Sequence, residues 1–321
     1  MGEGMFGTVH MGRDGNTGKF YAIKQFHGWA TRPKPLAISE PDMDDGYSWA
    51  REVKALELLK DVPGVVPIYD AYVTSRHGYV IMELMSGDLL SFIQRKTGIW
   101  EKKVQASGIK SFMKSLLTTL AECHKRGVVH RDIKWQNILY KHNDEKELIF
   151  KLCDFGSCHM SSSDYKWHPD RDCNALPYRA PELFLKSPVL SSAVDIWAMG
   201  CLFAESCSKG KFLIPSNGID SSQPSYIMSK LPPPSGYELT KIYVSKRKDV
   251  KPVNFDIYKN SLGEQGIDLL KKMLIYDPKA RITAEEALKH AYFTERSDEG
   301  SDDGDVEMEK EKDTIGDQKS S

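Results

Sequence analysis

The chain has 321 residues, 40% hydrophobic and 28% charged, with 44 Lys and Arg against 45 Asp and Glu. That length allows two lobes and a sizeable core, and a net charge of −1 asks for neither nucleic acid nor a membrane surface as partner. No apolar run approaches the roughly 18 residues of a membrane span.

The six cysteines, at 123, 153, 158, 173, 201 and 207, form no Cys-x-x-Cys pair, so reduced thiols in a cytoplasmic or nuclear protein are expected. Gly2 is followed by Phe6 where a myristoylation signal needs Ser or Thr, so lipidation is discounted.

The chain opens on Gly2-Glu3-Gly4-Met5-Phe6-Gly7-Thr8-Val9. Glycines let backbone N–H groups approach phosphate oxygens with no Cβ in the way, although many tight turns look the same. Alternation over Val9–Met11, a Gly-rich turn at 14–18 and a second strand over Phe20–Phe26 predict strand, turn, strand. A dinucleotide fingerprint needs a helix there, so a hairpin lying over a nucleotide's phosphates is the better reading, with Lys24 beneath it.

Residues 27–46 read as a long loop. Trp49–Leu59 reads as a helix with Trp49, Val53, Leu56 and Leu59 on one side. Glu52 sits at the edge of that face, where an acid can meet the lysine of the neighbouring strand. Val65–Ile68, Tyr69–Thr74 and Tyr79–Leu84 read as strands, and Met85-Ser86-Gly87-Asp88 breaks the pattern as a lobe boundary.

Ile109, Phe112, Met113, Leu116, Leu117 and Leu120 step at three and four, which predicts a long buried helix. It leads into His130-Arg131-Asp132-Ile133-Lys134-Trp135-Gln136-Asn137, a polar stretch between apolar flanks, where a rigidly held loop suits chemistry. Asp154-Phe155-Gly156 follows 22 residues after Asp132. An Asp for a proton, a Lys for negative charge, and an Asn plus a second Asp for a hard metal ion suit phosphoryl transfer. A lone His-x-Asp is usually a solvated turn; the order and spacing of the whole set are not a common accident.

Beyond that, a polar stretch leads to Tyr178-Arg179-Ala180-Pro181-Glu182. Ala193–Glu205 predicts a buried helix, residues 215–260 read as irregular, and Ile267–Leu274 and Ala284–His290 read as helices. Residues 295–313 carry ten acids against three bases, which predicts a disordered acidic tail.

These motifs, in this order, resemble the eukaryotic protein kinases: glycine loop, Lys24, Glu52, His130-Arg131-Asp132, Asn137, Asp154-Phe155-Gly156 and Ala180-Pro181-Glu182. Lys134 resembles the serine/threonine class. Tyr-Arg-Ala-Pro-Glu and Met273-Leu-Ile-Tyr-Asp-Pro-Lys-Ala-Arg-Ile-Thr resemble the group holding cyclin-dependent, mitogen-activated and glycogen-synthase kinases.

The resemblance implies an α+β, bilobal protein kinase fold. It has a small β-rich N-lobe over 1–85 with its first strand missing, a larger helical C-lobe over 86–294, and the tail over 295–321. It implies ATP and Mg²⁺, a protein substrate, room for a regulatory subunit of unassigned identity, and a preference for proline after the target Ser or Thr. A role in activating cyclin-dependent kinases is the narrower sub-reading.

Carried over by position, Asp132 is the base, Lys134 steadies the transferring phosphate, and Asn137 and Asp154 hold Mg²⁺. Lys24 holds the α- and β-phosphates and pairs with Glu52. Gly2, Glu3, Gly4, Met5, Phe6, Gly7 and Val9 cover the nucleotide, and Ala22, Met82, Glu83, Met85 and Leu139 line the adenine pocket. Glu182 and Arg281 form a buried, structural ion pair.

Four departures stand out: no strand before the glycine loop, Trp135 in place of Pro, Ala175 where a hydroxyl usually bridges Asp132 and Lys134, and a long loop before Glu52. Little effect on phosphate transfer is expected from Trp135. Asp170 falls where related kinases place an activating phosphothreonine, and it, or Asp172, is expected to pair with Arg131 as a partial substitute for phosphate. A pseudokinase scaffold is the alternative reading, motivated by the absent strand and Ala175.

Overall fold

A computed structural model describes residues 2–4, 7–26, 48–94, 106–145, 147–161, 175–185, 190–208, 211–243, 247 and 249–295. The expected loop over 27–46, Met5, Phe6, Asp170, Asp172, Cys173 and the tail beyond Glu295 lie outside the described residues.

The N-terminal region is a five-stranded antiparallel sheet in the order β1-β2-β3-β5-β4: β1 (Gly2–Gly4), β2 (Gly7–Arg13), β3 (Phe20–Phe26), β4 (Ile68–Val73) and β5 (Gly78–Glu83). Gly2–Gly4 pairs with β2 at the head of the hairpin, so half of the glycine stretch is itself strand.

Gly7 has a packing reason of its own. A Cβ there would lie 2.1 Å from the Gln25 carbonyl oxygen, so only glycine lets β2 lie this close to β3. The β2–β3 turn is held by Asp14, whose carboxylate accepts the N–H groups of Asn16 and Thr17 at 2.8 and 2.7 Å, a side-chain turn that asparagine and aspartate favour. Of Val65–Ile68 only Ile68 lies in a strand, as the first residue of β4. Val65 makes a single bridge to Leu152 and is buried with Val66 in the core. An apolar run of four looks like a strand from sequence, but here Val65–Pro67 lead into β4 rather than pair along a ladder.

Helix α1 (Ser48–Leu58) packs under the sheet with Ala55, Leu56 and Glu52 buried. After β6 (Gly87–Asp88) and α2 (Leu89–Gln94) the chain becomes mainly helical. In α3 (Ala106–Lys125) the residues Phe112, Met113, Leu116, Leu117 and Leu120 are all buried, as their three-and-four spacing predicts. In α4 (Ala193–Ser206) every residue is buried, so the helix is enclosed on all sides.

The described residues within 215–260 hold more regular structure than their composition suggests. They contain α5 (Gln223–Lys230) and α6 (Leu239–Ile242). Pro224 sits in the first turn of α5, where its missing N–H costs nothing, and Tyr226, Ile227 and Met228 are buried. Helix α7 (Lys259–Met273) starts earlier than periodicity indicates and bends at Gly263, φ +62°. Helices α8 (Ala284–Leu288) and α9 (Ala291–Thr294) follow, α8 opened by a Thr283–Glu286 capping box.

Four short strands set the site. β7 (Val128–Val129) pairs with β10 (His159–Met160), and β8 (Ile138–His142) pairs with β9 (Leu148–Leu152). Residues 130–137 run from β7 to β8, and residues 153–158 run from β9 to β10. Pairing the four flanking strands therefore lays the two loops side by side.

Candidate active site

Lys24 on β3 and Glu52 on α1 meet where both are buried. Lys24 Nζ donates to Glu52 Oε2 at 2.5 Å and to Asp154 Oδ1 at 2.7 Å. Burial works against the ammonium, but Glu52 and Asp154 outweigh it and hold the Lys24 pKa above its ordinary value. Asp154 is held below the usual carboxylate range, because Lys24 outweighs the opposing effect of burial. Glu52 is pushed up to about 7, since burial and the Asp154 charge overcome the pull of Lys24. One ammonium thus serves two carboxylates.

Asp132 is buried and receives four contacts. Lys134 Nζ donates to Oδ2 at 2.6 Å, and Asn137 Nδ2 donates to the same oxygen at 3.0 Å and to the Asp132 carbonyl at 2.8 Å. The fourth contact was not legible in the sequence. The backbone N–H of Ala175 donates to Oδ1 at 3.3 Å, so the residue without a hydroxyl still reaches this carboxylate through its main chain.

The loops are pinned to one another and to α4. His130 Nδ1 accepts the Asp132 N–H at 3.2 Å, so Nε2 carries the proton and donates to the Cys153 carbonyl at 2.9 Å. The Cys153 N–H donates to the Asn137 carbonyl at 3.0 Å. The His130 ring packs against Phe155, centroids 4.6 Å apart, and Arg51 of α1 donates to the Gly156 carbonyl at 2.9 Å.

Arg131 (φ +67°) and Asp154 (φ +64°) both adopt left-handed backbone, uncommon for residues with a Cβ and held only where the surroundings over-determine it. At Arg131 the holding group is Asp195 of α4. Its two oxygens accept the N–H groups of His130 and Arg131, each at 2.8 Å, and Oδ2 also contacts His124 Nε2 at 2.9 Å. Burial would raise the Asp195 pKa, but the hydrogen bond and charge of His124 and the Arg131 backbone N–H hold it down. Asp195 did not figure among the sequence candidates. The signal was present: a carboxylate inside an otherwise apolar helix run is costly unless it is used.

Ala22 faces Met82 in the β3–β5 register and Lys24 faces Val9 in the β2–β3 register. Ala22, Lys24 and Met82 are buried and Val9 is half-buried. Leu139 lies opposite Asp88, just past the buried Met85. Glu83 is only partly available to a ligand. Its side chain is ion-paired to Lys141 on β8 and to Lys151 on β9, the latter at 2.6 Å, and its N–H donates to the Pro67 carbonyl.

Glu182 and Arg281 form a two-pronged buried pair, both bonds 2.8 Å. Every Arg281 N–H has an acceptor, the remaining three being the carbonyls of Ile275, Ala193 and Tyr276. Burial pushes the Cys123 and Cys158 thiols up to about 12, so neither is a nucleophile at neutral pH.

Residues 1–293 match the family described as Protein kinase domain. The chain belongs to the protein kinase family. Among curated relatives, the kinase is 33% identical over 299 residues to Cyclin-dependent kinase 7 of Dictyostelium discoideum, covering 92% of this chain and 78% of that one. It is 31% identical over 300 residues to Cyclin-dependent kinase D-1 of Oryza sativa, in both the indica and japonica subspecies, covering 91% of this chain. It spans 65% of the length of the rice proteins. This places the kinase with the serine/threonine, cyclin-dependent-kinase-like group.

Glu205 on α4 is, like Glu52, a buried acid with a raised pKa. Burial pushes it to about 7 against three hydrogen-bond donors. The unfolded chain releases such a proton near pH 4.3 and the folded kinase keeps it to about 7, so the folded state holds more protons between these values. Stability then falls as pH rises through that window. His159, lowered by burial and by Arg131 and Arg51, opposes the trend below pH ~6.5. Comparing wild type with Glu205→Gln isolates one acid. Between pH 5 and 8 wild type is expected to lose up to about 3 kcal/mol relative to the variant in denaturant titrations. A gap that stays constant with pH counts against the raised value.

Proposed function

We propose that this kinase transfers the γ-phosphoryl group of ATP to Ser or Thr hydroxyls of protein substrates, with Asp132 as the base. The observation that carries the reading is the pairing of two bonded sets, Lys24 with Glu52 and Asp154, and Asp132 with Lys134 and Asn137, whose Asp154 and Asp132 lie on loops tied together by the His130–Cys153 bond.

Lys24 holds the α- and β-phosphates, and Glu52 and Asp154 keep its ammonium charged and aimed. Lys134 lies beside the base, where the transferred group arrives. Asp154 and Asn137 fit Mg²⁺: a carboxylate and an amide oxygen are hard ligands, and this ion is ordinarily held by one or two carboxylates together with substrate phosphates. When bound, Mg²⁺ neutralises charge on the phosphates.

Two finer readings belong to the proposal. A preference for proline after the target residue is supported by the motif around Arg179, which is ion-paired to Asp220 and lies over the Phe184 ring. A cyclin-like regulatory subunit is supported by similarity to chains named cyclin-dependent kinase, and action on other cyclin-dependent kinases is the narrower part of the same proposal. A scaffold without catalysis finds no favouring observation, since the charged residues such a scaffold could dispense with are all present and in contact.

Label transfer from ATP to peptides differing only in a Ser, Thr or Tyr acceptor tests the reading. Label is expected on Ser and Thr, absent on Tyr, absent after chelation of Mg²⁺, and greater when proline follows the acceptor. Labelling of Tyr, or labelling that survives chelation, overturns it.

A further inference from the structure

Trp135 stands where the resemblance expects proline, and its place in the fold is specific. The side chain is fully buried and stacks on Phe112 of α3, centroids 5.7 Å apart and planes 12° apart. Its indole N–H donates to Glu205 Oε2 at 2.8 Å, a bond that a proline side chain, having no polar atom, cannot make. The same oxygen accepts the Tyr178 hydroxyl at 3.0 Å, and the other accepts the Leu213 N–H at 3.1 Å. Glu205 is therefore a fully buried carboxylate that gathers three neutral donors from three separate segments.

Following the chain outward from two of those donors leads to one place. Trp135 adjoins Lys134, whose ammonium rests on Asp132 Oδ2. Tyr178 ends a tight turn that begins at Ala175, its N–H donating to the Ala175 carbonyl at 2.9 Å. The Ala175 N–H in turn reaches Asp132 Oδ1. Both oxygens of Asp132 are thus approached by segments whose far ends are tied to a single oxygen of Glu205. Ala175 brings no side-chain hydroxyl, and its 3.3 Å contact is long for an N–H···O bond. Something other than that contact must set the spacing between the two segments.

We propose that Trp135 and Glu205 are positioning residues for phosphoryl transfer: the indole–carboxylate–phenol tie holds the catalytic loop and the 175–178 turn at the separation in which Ala175 reaches Asp132. The tie supplies from beneath what a hydroxyl at position 175 supplies directly in related kinases. This rests on the reading of Asp132 as the base.

Trp135→Phe keeps a packed ring and removes the N–H; Tyr178→Phe removes the hydroxyl alone. Each is expected to lower kcat for a peptide substrate by about three- to tenfold, the worth of one hydrogen bond, with the KM for ATP within about twofold and the folded fraction unchanged at assay temperature. Because both act through Glu205, the double variant should lose less than the product of the two. In an Ala175→Thr background, where a side-chain hydroxyl is available, Trp135→Phe should cost less than about twofold.

A merely structural role would lower activity only in step with the folded fraction and would not be rescued at position 175; either result overturns the proposal, as does an unchanged kcat in both single variants. If Trp135→Phe does not fold, the same cycle is read with Tyr178→Phe. Asp132→Asn is assayed alongside. Equal transfer by wild type and Asp132→Asn sinks the base assignment and the tie together, whereas an active wild type matched by Trp135→Phe and Tyr178→Phe sinks the tie alone.

Discussion

Asp132→Asn is expected to lower kcat by about 10²- to 10⁴-fold, the usual contribution of a positioned general base, while the KM for ATP and the unfolding midpoint stay near wild type. Asparagine matches aspartate in shape and keeps one oxygen, so Lys134 or the Ala175 N–H can still find an acceptor. What it lacks is the capacity to take a proton. The contacts also suggest which oxygen acts. Oδ2 is held by Lys134 and Asn137 at 2.6 and 3.0 Å, whereas among the described residues Oδ1 has only the 3.3 Å contact from Ala175 and can accept a substrate hydroxyl at little cost. Steady-state kinetics on a Ser peptide decides the matter, and a variant retaining more than about a tenth of wild-type kcat would remove Asp132 from the role.

Arg281→Met is expected to destabilise the fold by about 3–5 kcal/mol, measured by urea titration. Methionine fills part of the space and supplies no donors, leaving the Glu182 carboxylate buried without its partner and three carbonyls without theirs. Glu182→Gln should cost distinctly less. The amide retains an acceptor for one guanidinium nitrogen, and the three carbonyl contacts to Arg281 survive. Equal losses in the two variants would mean that the pair's charge, not the five-acceptor socket around Arg281, carries the anchor.

The two kinds of residue at this site differ in how they are written in the sequence. Lys24, Glu52, Asp132, Lys134, Asn137 and Asp154 are charged or polar side chains at characteristic spacing, so their convergence could be anticipated. The elements bearing them were legible for a related reason: α3 and α4 announce themselves by long apolar periodicity, and β3 by its alternation. The supporting groups are of another sort. Asp195 and Glu205 act on backbone N–H groups or on residues 27 to 70 positions away, and no local pattern marks such partners. The Ala175 contact is made by an amide that every residue but proline possesses, so nothing in the residue's identity discloses it. Pro and Ser over 215–260 suggest irregular chain, whereas Pro224 sits in the first turn of a helix whose stability comes from burying Tyr226, Ile227 and Met228.

The interleaved strands around the two loops bear on how this chain can change in length. β7 and β10 pair through only two residues each, and β8 with β9 through five. A slip of one residue in either ladder would turn every side chain on that strand to the opposite face. An insertion or deletion within 130–137 or 153–158 would therefore have to be absorbed by the loop itself, where His130, Asn137 and Cys153 are already bonded across. The hairpin tip, where Asp144, Glu145 and Glu147 are exposed and Asn143 and Glu147 bond to each other, carries no such constraint. Added residues should accumulate there, some way along the same strands, while the two loops tolerate substitution but keep their count.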